Sequence, residues 1–311
     1  MKYTSENNWY KWQYGNDRCF GRNKLKDQTF KTYFTSFNGP VQGLTQELKK
    51  VASSVIDHYP DLEPCVMFSG GVDSEVVLRS FLAIGVKPKV YIFRYEKDYN
   101  IYDVSYAITI CSMLGLPYNL IDFNLQKFYE NDAEKVSELA QIDRPNALPQ
   151  MKFMEQVDGL PIYGTSDISV FRSDEDYSFM GNWFVKCWEH DVGGNKYARE
   201  IKRPAVIEWF KWTPGIVLAI TKTYWFKRLV NDYYKGKLGT NSTKIIGYRE
   251  SFPDLIDRKK QTGFEQLEPL VLELEQHFSK KYNGLPFRNS YERSLDDLYQ
   301  EMLGKDFNYK I

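Results

Sequence analysis

The segment that most constrains this chain is Phe68-Ser69-Gly70-Gly71-Val72-Asp73-Ser74. It follows Cys65-Val66-Met67-Phe68, an apolar run of the buried-strand kind, and precedes the helix-like stretch Glu75–Ile84. Two adjacent glycines permit positive φ and let the backbone come close to a bound group. Exposed N–H groups at the start of a helix, with the positive end of its dipole, make an anion cradle. Ser69 and Ser74 add hydroxyl donors. Asp73 adds a carboxylate, which is unfavourable beside a phosphate unless a cation such as Mg2+ lies between them. The Lys of the common GxxxxGK[ST] phosphate loop is missing.

The surrounding periodicity has a regular order. Leu44–Tyr59 is amphipathic, and Pro60 and Pro64 end it. Strand-like Val90–Phe93, helix-like Asp103–Leu114 and strand-like Tyr118–Phe123 follow, with Gly85 and Gly115 closing the helices. Strands alternating with helices predict a parallel α/β sheet with helices on both faces. Leu160–Tyr163 is a further strand, ending in Gly164-Thr165-Ser166-Asp167, which puts Asp167 at the carboxyl edge where open α/β sheets bind ligands. An Asx turn explains Asp167 equally simply. From Pro204 to Tyr234 the pattern is mainly helical and restarts at Thr213-Pro214; further helices are expected over Leu267–Phe278 and Tyr291–Leu303. The chain therefore divides into an irregular extension (1–40), an α/β domain (41–170) and a mainly helical remainder (171–311), with no visible linker between the last two.

Composition excludes several classes. Lys plus Arg and Asp plus Glu are both 41, so the net charge is zero and no general drive toward nucleic acid exists. No apolar run of about 18 residues is present, and the first residues lack the apolar core of a secretion signal. Cys19, Cys65, Cys111 and Cys187 form no CxxC pair, so neither a zinc site nor a disulfide framework is expected, and a reduced, cytoplasmic setting is. His58, His190 and His277 are scattered. Aromatic residues reach 16% and gather in the helical remainder, where Trp209, Phe210, Trp212, Trp225 and Phe226 suit either helix packing or a substrate pocket.

Ser69-Gly70-Gly71-Val72-Asp73-Ser74 matches SGGxDS and so resembles the PP-loop ATP pyrophosphatase superfamily, whose fold is a parallel sheet of the adenine nucleotide alpha hydrolase (HUP) type. The resemblance implies that Ser69, Gly70, Gly71 and Ser74 hold the pyrophosphate end of ATP. It also implies cleavage between the α and β phosphates, giving an adenylated substrate and PPi. Asp103, Ala107 and Leu114-Gly115-Leu116 fit the family pattern after the second strand. That strand's end, Phe93 and Arg94, is where the family holds adenine through backbone groups, and the family's acidic residue at the position of Asp167 helps Asp73 hold Mg2+.

The stretch Phe252-Pro253-Asp254-Leu255-Ile256-Asp257-Arg258-Lys259-Lys260-Gln261-Thr262-Gly263-Phe264 resembles a late motif of asparagine synthetases and related amide-forming enzymes. One extra residue precedes the glycine, so either Lys260 or Lys259 matches the family lysine that approaches the α-phosphate or pyrophosphate; a solvated basic turn is the plain alternative. Arg258 and Lys260 are the candidate catalytic residues. The glutaminase domain of those enzymes has no counterpart in residues 1–40, and their SGEGADE-like loop is replaced by Gly164-Thr165-Ser166-Asp167. The resemblance thus implies an adenylating ligase taking a small-molecule carboxylate or carbonyl substrate, with nitrogen from an amine, free ammonia or a partner protein. Two other readings remain open. Sulfur-transfer relatives share the loop, with Cys187 the thiol in the most reactive setting. For tRNA thiolation, Lys222, Lys227, Arg228, Lys235, Lys237 and Lys244 would form a basic patch. A non-catalytic nucleotide-binding module is the third.

Overall fold

The computed structural model describes residues 10–14, 30–34, 37, 39–140, 142–165, 170–172, 183–187, 189–226, 244–258, 262–281 and 291–304. Its centre is a four-stranded, all-parallel sheet. Strand β3 (Pro64–Met67) is flanked by β4 (Lys89–Tyr95) and β6 (Leu160–Tyr163), and β5 (Asn119–Phe123) lies outside β4. Cys65 sits beside Lys89 on one side and Pro161 on the other. Val206 extends the sheet past β6: it pairs in parallel with Ile162, and its N–H and C=O bond the Pro161 carbonyl and the Tyr163 amide at 2.8 and 2.9 Å.

Alternation along the central strands explains the layers. Val66, Phe68, Val90 and Ile92 face one way, into a core with α1 (Leu44–His58), α2 (Val72–Leu82), α3 (Ile101–Met113) and the 206–226 segment. Cys65, Met67, Tyr91, Phe93 and Tyr95 face the other way, against α4 (Leu125–Asn131), α5 (Ala133–Ala140), α6 (Leu148–Phe153) and the helices Glu189–Glu200 and Glu268–Lys281. The expected parallel sheet with helices on both faces is therefore present, followed by a mainly helical remainder.

The aromatic-rich stretch resolves into packing. Trp209, Phe210, Trp212 and Phe226 are fully buried, and Trp225 nearly so. Trp212 lies 5.6 Å from His58 on α1 and donates its indole N–H to Ser54 at 3.0 Å. This surface joins the sheet's own core rather than opening to solvent.

Two expectations need correction. Residues 1–40 are not irregular throughout: β1 (Tyr10–Tyr14) and β2 (Phe30–Phe34) pair antiparallel. Both are five-residue runs dense in aromatics, which favour pleated backbone. The last helix begins at Leu295, because Tyr291–Ser294 forms a strand beside Trp183–Cys187, itself paired with Val170–Arg172. Helices α4, α5 and α6 were not legible as separate elements, and α6 forms one wall of the site.

Candidate nucleotide site

Gly70 turns the chain at the end of β3 with φ of +80°, a conformation that favours glycine. A Cβ there would lie 2.0 Å from the Asp103 carbonyl oxygen, so α3 also requires glycine. Gly71 is the extended N-cap of α2. Hydroxyls knit the loop: Ser69 and Ser74 lie 3.2 Å apart through their Oγ atoms, and Ser74 donates to the Gly71 carbonyl at 3.0 Å. Gly164, after β6, packs so closely on the loop that a Cβ would meet the Ser74 nitrogen at 2.5 Å. Thr165 then donates to the Ile207 carbonyl at 2.8 Å, tying this edge to the added strand-like segment.

The loop opens into a cavity of about 610 Å3 at the carboxyl edge of the sheet. Ser69, Gly70, Gly71, Asp73 and Ser74 line its floor. Phe93, Tyr95, Phe153 and Phe264 form an apolar wall, with Phe93 stacked on Phe153 at 3.9 Å between centroids. Asn146 and Gln150 add two side-chain amides. Burial holds the Tyr95 and Tyr163 phenols far above their ordinary range, so both are neutral hydroxyls.

The late motif folds against the loop. Arg258 donates through Nη1 to the Gly70 carbonyl at 2.9 Å and through Nη2 to Glu75. Glu75 is fully buried and accepts a second guanidinium, Arg79 Nε at 2.6 Å; Arg79 Nη1 reaches both Asp254 oxygens at 2.9 and 3.0 Å. Gly263, with φ of +83°, lies so near the Tyr99–Asn100 backbone that a Cβ would meet the Tyr99 carbonyl carbon at 2.9 Å. Phe264 then enters the cavity wall, 5.8 Å from Tyr95. Arg258, Gly263 and Phe264 therefore surround one site.

Other candidate residues separate. Phe93 lines the cavity, and its carbonyl accepts from Asn100 Nδ2 at 2.9 Å, while Tyr95 N–H donates to Asn100 Oδ1 at 2.8 Å. Arg94 points elsewhere: its guanidinium donates to Asp122 at 2.7 Å, which raises its pKa and lowers that of Asp122. Because Arg94 alternates with the cavity-facing Phe93 and Tyr95, its side chain leaves by the other face. Asp167, Lys259 and Lys260 lie outside the described residues, as does the Cys187 side chain.

Of the basic residues expected to form a patch, Lys244 enters this site, while Lys227, Arg228, Lys235 and Lys237 lie outside the described residues. From the short helix Lys244–Tyr248 the Lys244 ammonium reaches Asp73 Oδ2 at 2.5 Å, and Tyr248 donates to Asp73 Oδ1 at 3.1 Å. Lys244, Tyr248, Asn100, Asn146, Gln150 and Phe153 were missed as site residues. The one local signal was the i, i+4 spacing of Glu75 and Arg79, which marks a paired acid just behind the loop.

No protein-family model matches the chain, and no curated protein matches it. Solved structures that overlap it include a glutamine-dependent NAD+ synthetase from Acinetobacter baumannii in complex with ADP, at 14% identity and a TM-score of 0.29, covering 43% of this chain and 30% of that one. They also include an NMN synthetase from Francisella tularensis, at 16% identity and a TM-score of 0.31, covering 70% of this chain and 94% of that one. The chain thus spans under a third of the NAD+ synthetase. These overlaps are distant, and the reading of the site rests on its own geometry.

Proposed function

We propose that the chain is an ATP-dependent adenylating ligase, cleaving ATP to AMP and PPi to activate a carboxylate or carbonyl oxygen for attack by an amine or ammonia. The observation that carries this is the convergence of a glycine-turned loop, the start of α2 and two cationic side chains on one aromatic-walled cavity. The cavity's size and its apolar wall suit a nucleotide.

In this reading Ser69, Gly70, Gly71 and Ser74 hold the β and γ phosphates, and the Phe93–Phe153 wall takes the base. The residues present suit Mg2+: Asp73 places a carboxylate at the loop, Asp103 lines the same cavity, and both are hard oxygen donors. Among the described residues no preformed cluster of three ligands exists, so phosphate oxygens and water would complete the shell, with Asp167 a further proposed carboxylate. Mg2+, when bound, would supply positive charge that screens the phosphates.

The chain's own residues then position and stabilise. A substrate oxygen attacks the α-phosphorus and the bond to the bridging oxygen breaks, releasing PPi. An amine nitrogen attacks the activated carbon, AMP leaves with the oxygen, and the nitrogen loses a proton. Lys260 is proposed to balance charge on departing PPi. Arg258 is assigned a positioning role, because its Nη1 and Nη2 are engaged by the Gly70 carbonyl and Glu75. An asparagine synthetase-like amide chemistry in the cytoplasm remains our proposal for the branch; among the described residues no helix is long and apolar enough to cross a membrane.

Incubation with ATP, Mg2+ and panels of carboxylates and amines should yield AMP and PPi in equal amounts. ADP and inorganic phosphate as products would overturn the assignment. Nucleotide binding with no cleavage under any acceptor would favour the non-catalytic module. Burial pushes the Cys65 and Cys111 thiols up to about 11, which gives the sulfur-transfer reading no support at those two positions.

A further inference from the structure

The sole lysine ammonium among the described cavity-lining residues is Lys244, which the loop motif does not account for. It sits 2.5 Å from Asp73 Oδ2 with little exposure on either side: 12% for Lys244 and 21% for Asp73. Tyr248 holds the other carboxylate oxygen. The platform beneath them is firm. Ile245 and Tyr248 are buried, Tyr248 stacks on Phe210 at 5.7 Å, and Gly247 packs so tightly that a Cβ would lie 2.8 Å from Trp225 Cβ.

Asp73 stands in the first turn of α2, at the mouth of a loop shaped for anions. Alone, its charge would repel a triphosphate; with the Lys244 ammonium on it, the pair is neutral toward an incoming anion. A triphosphate brings more negative charge than one carboxylate. A lysine stem has the freedom to follow that charge while its backbone stays fixed. Asp73 would then be released at the moment a divalent cation arrives with the nucleotide.

We propose that Lys244 is a phosphate-binding residue that exchanges Asp73 for the triphosphate, so that loop occupancy and metal binding at Asp73 are coupled through one ammonium. The phosphate half of this rests on the ATP reading of the loop; the competition for Asp73 does not.

The test uses inorganic pyrophosphate without divalent metal, and Mn2+ without nucleotide, on the full chain and its Lys244→Met and Lys244→Arg variants. Pyrophosphate is followed by calorimetry and Mn2+ by loss of its free electron-spin-resonance signal. Lys244→Met should weaken pyrophosphate about tenfold or more, the scale of one lost charge-assisted hydrogen bond. The same variant should bind Mn2+ more tightly, because the ammonium no longer competes for Asp73 Oδ2. Lys244→Arg should keep most pyrophosphate affinity, and Tyr248→Phe should change it little.

Opposite signs on the two probes are the signature, since a merely structural lysine would weaken both. Unchanged pyrophosphate affinity in a folded Lys244→Met, or Mn2+ binding that weakens or stays level, overturns the exchange. If the unaltered chain binds no pyrophosphate, the ATP reading falls, and the Mn2+ measurement alone decides the competition for Asp73. Should Lys244→Met fail to fold, Lys244→Gln is read by the same two probes.

Discussion

The Arg258 guanidinium donates to the Gly70 carbonyl at 2.9 Å across 188 residues of sequence. The same group reaches Glu75, whose carboxylate is fully buried and shared with Arg79. One acid thus holds two cations, and the loop's key carbonyl hangs from one of them.

That arrangement predicts unequal costs. Glu75→Gln leaves Arg79 with Asp254 but the Arg258 guanidinium without its buried carboxylate, and should destabilise the fold by about 3–5 kcal/mol. Arg258→Met leaves a Glu75–Arg79 pair that is still neutral, so it should cost less, about 1–2 kcal/mol. Arg258→Met should nevertheless weaken ATP binding as strongly as Glu75→Gln does, because both release Gly70. Urea unfolding and nucleotide titration of the two variants check the ordering; equal stability losses would contradict it.

Gly164→Ala should fold and yet lose the anion. The new methyl would arrive 2.5 Å from the Ser74 nitrogen and 2.6 Å from its Cα, displacing the loop from β6. Overpacking of this kind costs about 1–3 kcal/mol. Pyrophosphate affinity should fall by about tenfold or more, since donor geometry in the cradle is lost. Circular dichroism with calorimetry separates these effects. Unchanged binding would mean that the loop tolerates displacement.

Asn100 is expected to be more than a helix-start residue. It satisfies the Phe93 carbonyl and the Tyr95 amide, both in buried surroundings. Asn100→Ala orphans both and should cost about 2 kcal/mol. Asn100→Asp keeps the acceptor but sets a carboxylate against the Phe93 carbonyl, so its folded-state pKa should rise above the ordinary carboxyl value of about 4. Its stability deficit relative to the unaltered chain should therefore be largest at pH 7 and shrink as pH falls through the raised pKa. Denaturant midpoints from pH 4 to 7 give this directly; a deficit that grows on acidification would be the wrong sign.

The thiols supply an alkaline signature. Burial pushes Cys65 and Cys111 from the ordinary 9.0 up to about 11. The unfolded chain loses these protons first, so stability should decline as pH rises from about 9 toward 11. Buried tyrosines, with an ordinary value of 10.0, begin to add to the decline within the same interval. The thiols' share is therefore the difference between the unaltered chain and a Cys65→Ala, Cys111→Ala double variant. That variant should decline less steeply from pH 9 to 10, and neither cysteine should react with a thiol reagent at pH 8 before unfolding.

Legibility followed the range of the forces involved. The loop, its strand and α2 were readable because short apolar runs, adjacent glycines and a helix start are local signals. Phe93, Arg258, Gly263 and Phe264 were named only through resemblance to known motifs, and their partners were not. Arg94 was named for its backbone groups; the facing of its side chain depends on strand register, which puts its neighbours in the cavity and sends its guanidinium to Asp122. Lys244 resembled any surface lysine: its significance arises from packing of Tyr248 on Phe210 and of Gly247 on Trp225, contacts no local pattern records. Asn146, Gln150 and Phe153 were hidden for the same reason, since α5 and α6 gain their positions from Tyr197, Leu267 and the sheet.

The distance in sequence between Gly70 and Arg258 also sets an order of events in biosynthesis. A ribosome-bound chain acquires its central strands, both loop glycines and the Glu75 carboxylate long before residue 258 is translated. Through that interval the Gly70 carbonyl has no guanidinium to fix it, and the cradle has no settled shape. The proposed competence to hold a nucleotide should thus arrive with the last third of the polypeptide, so an incomplete product of translation should carry the motif without the grip.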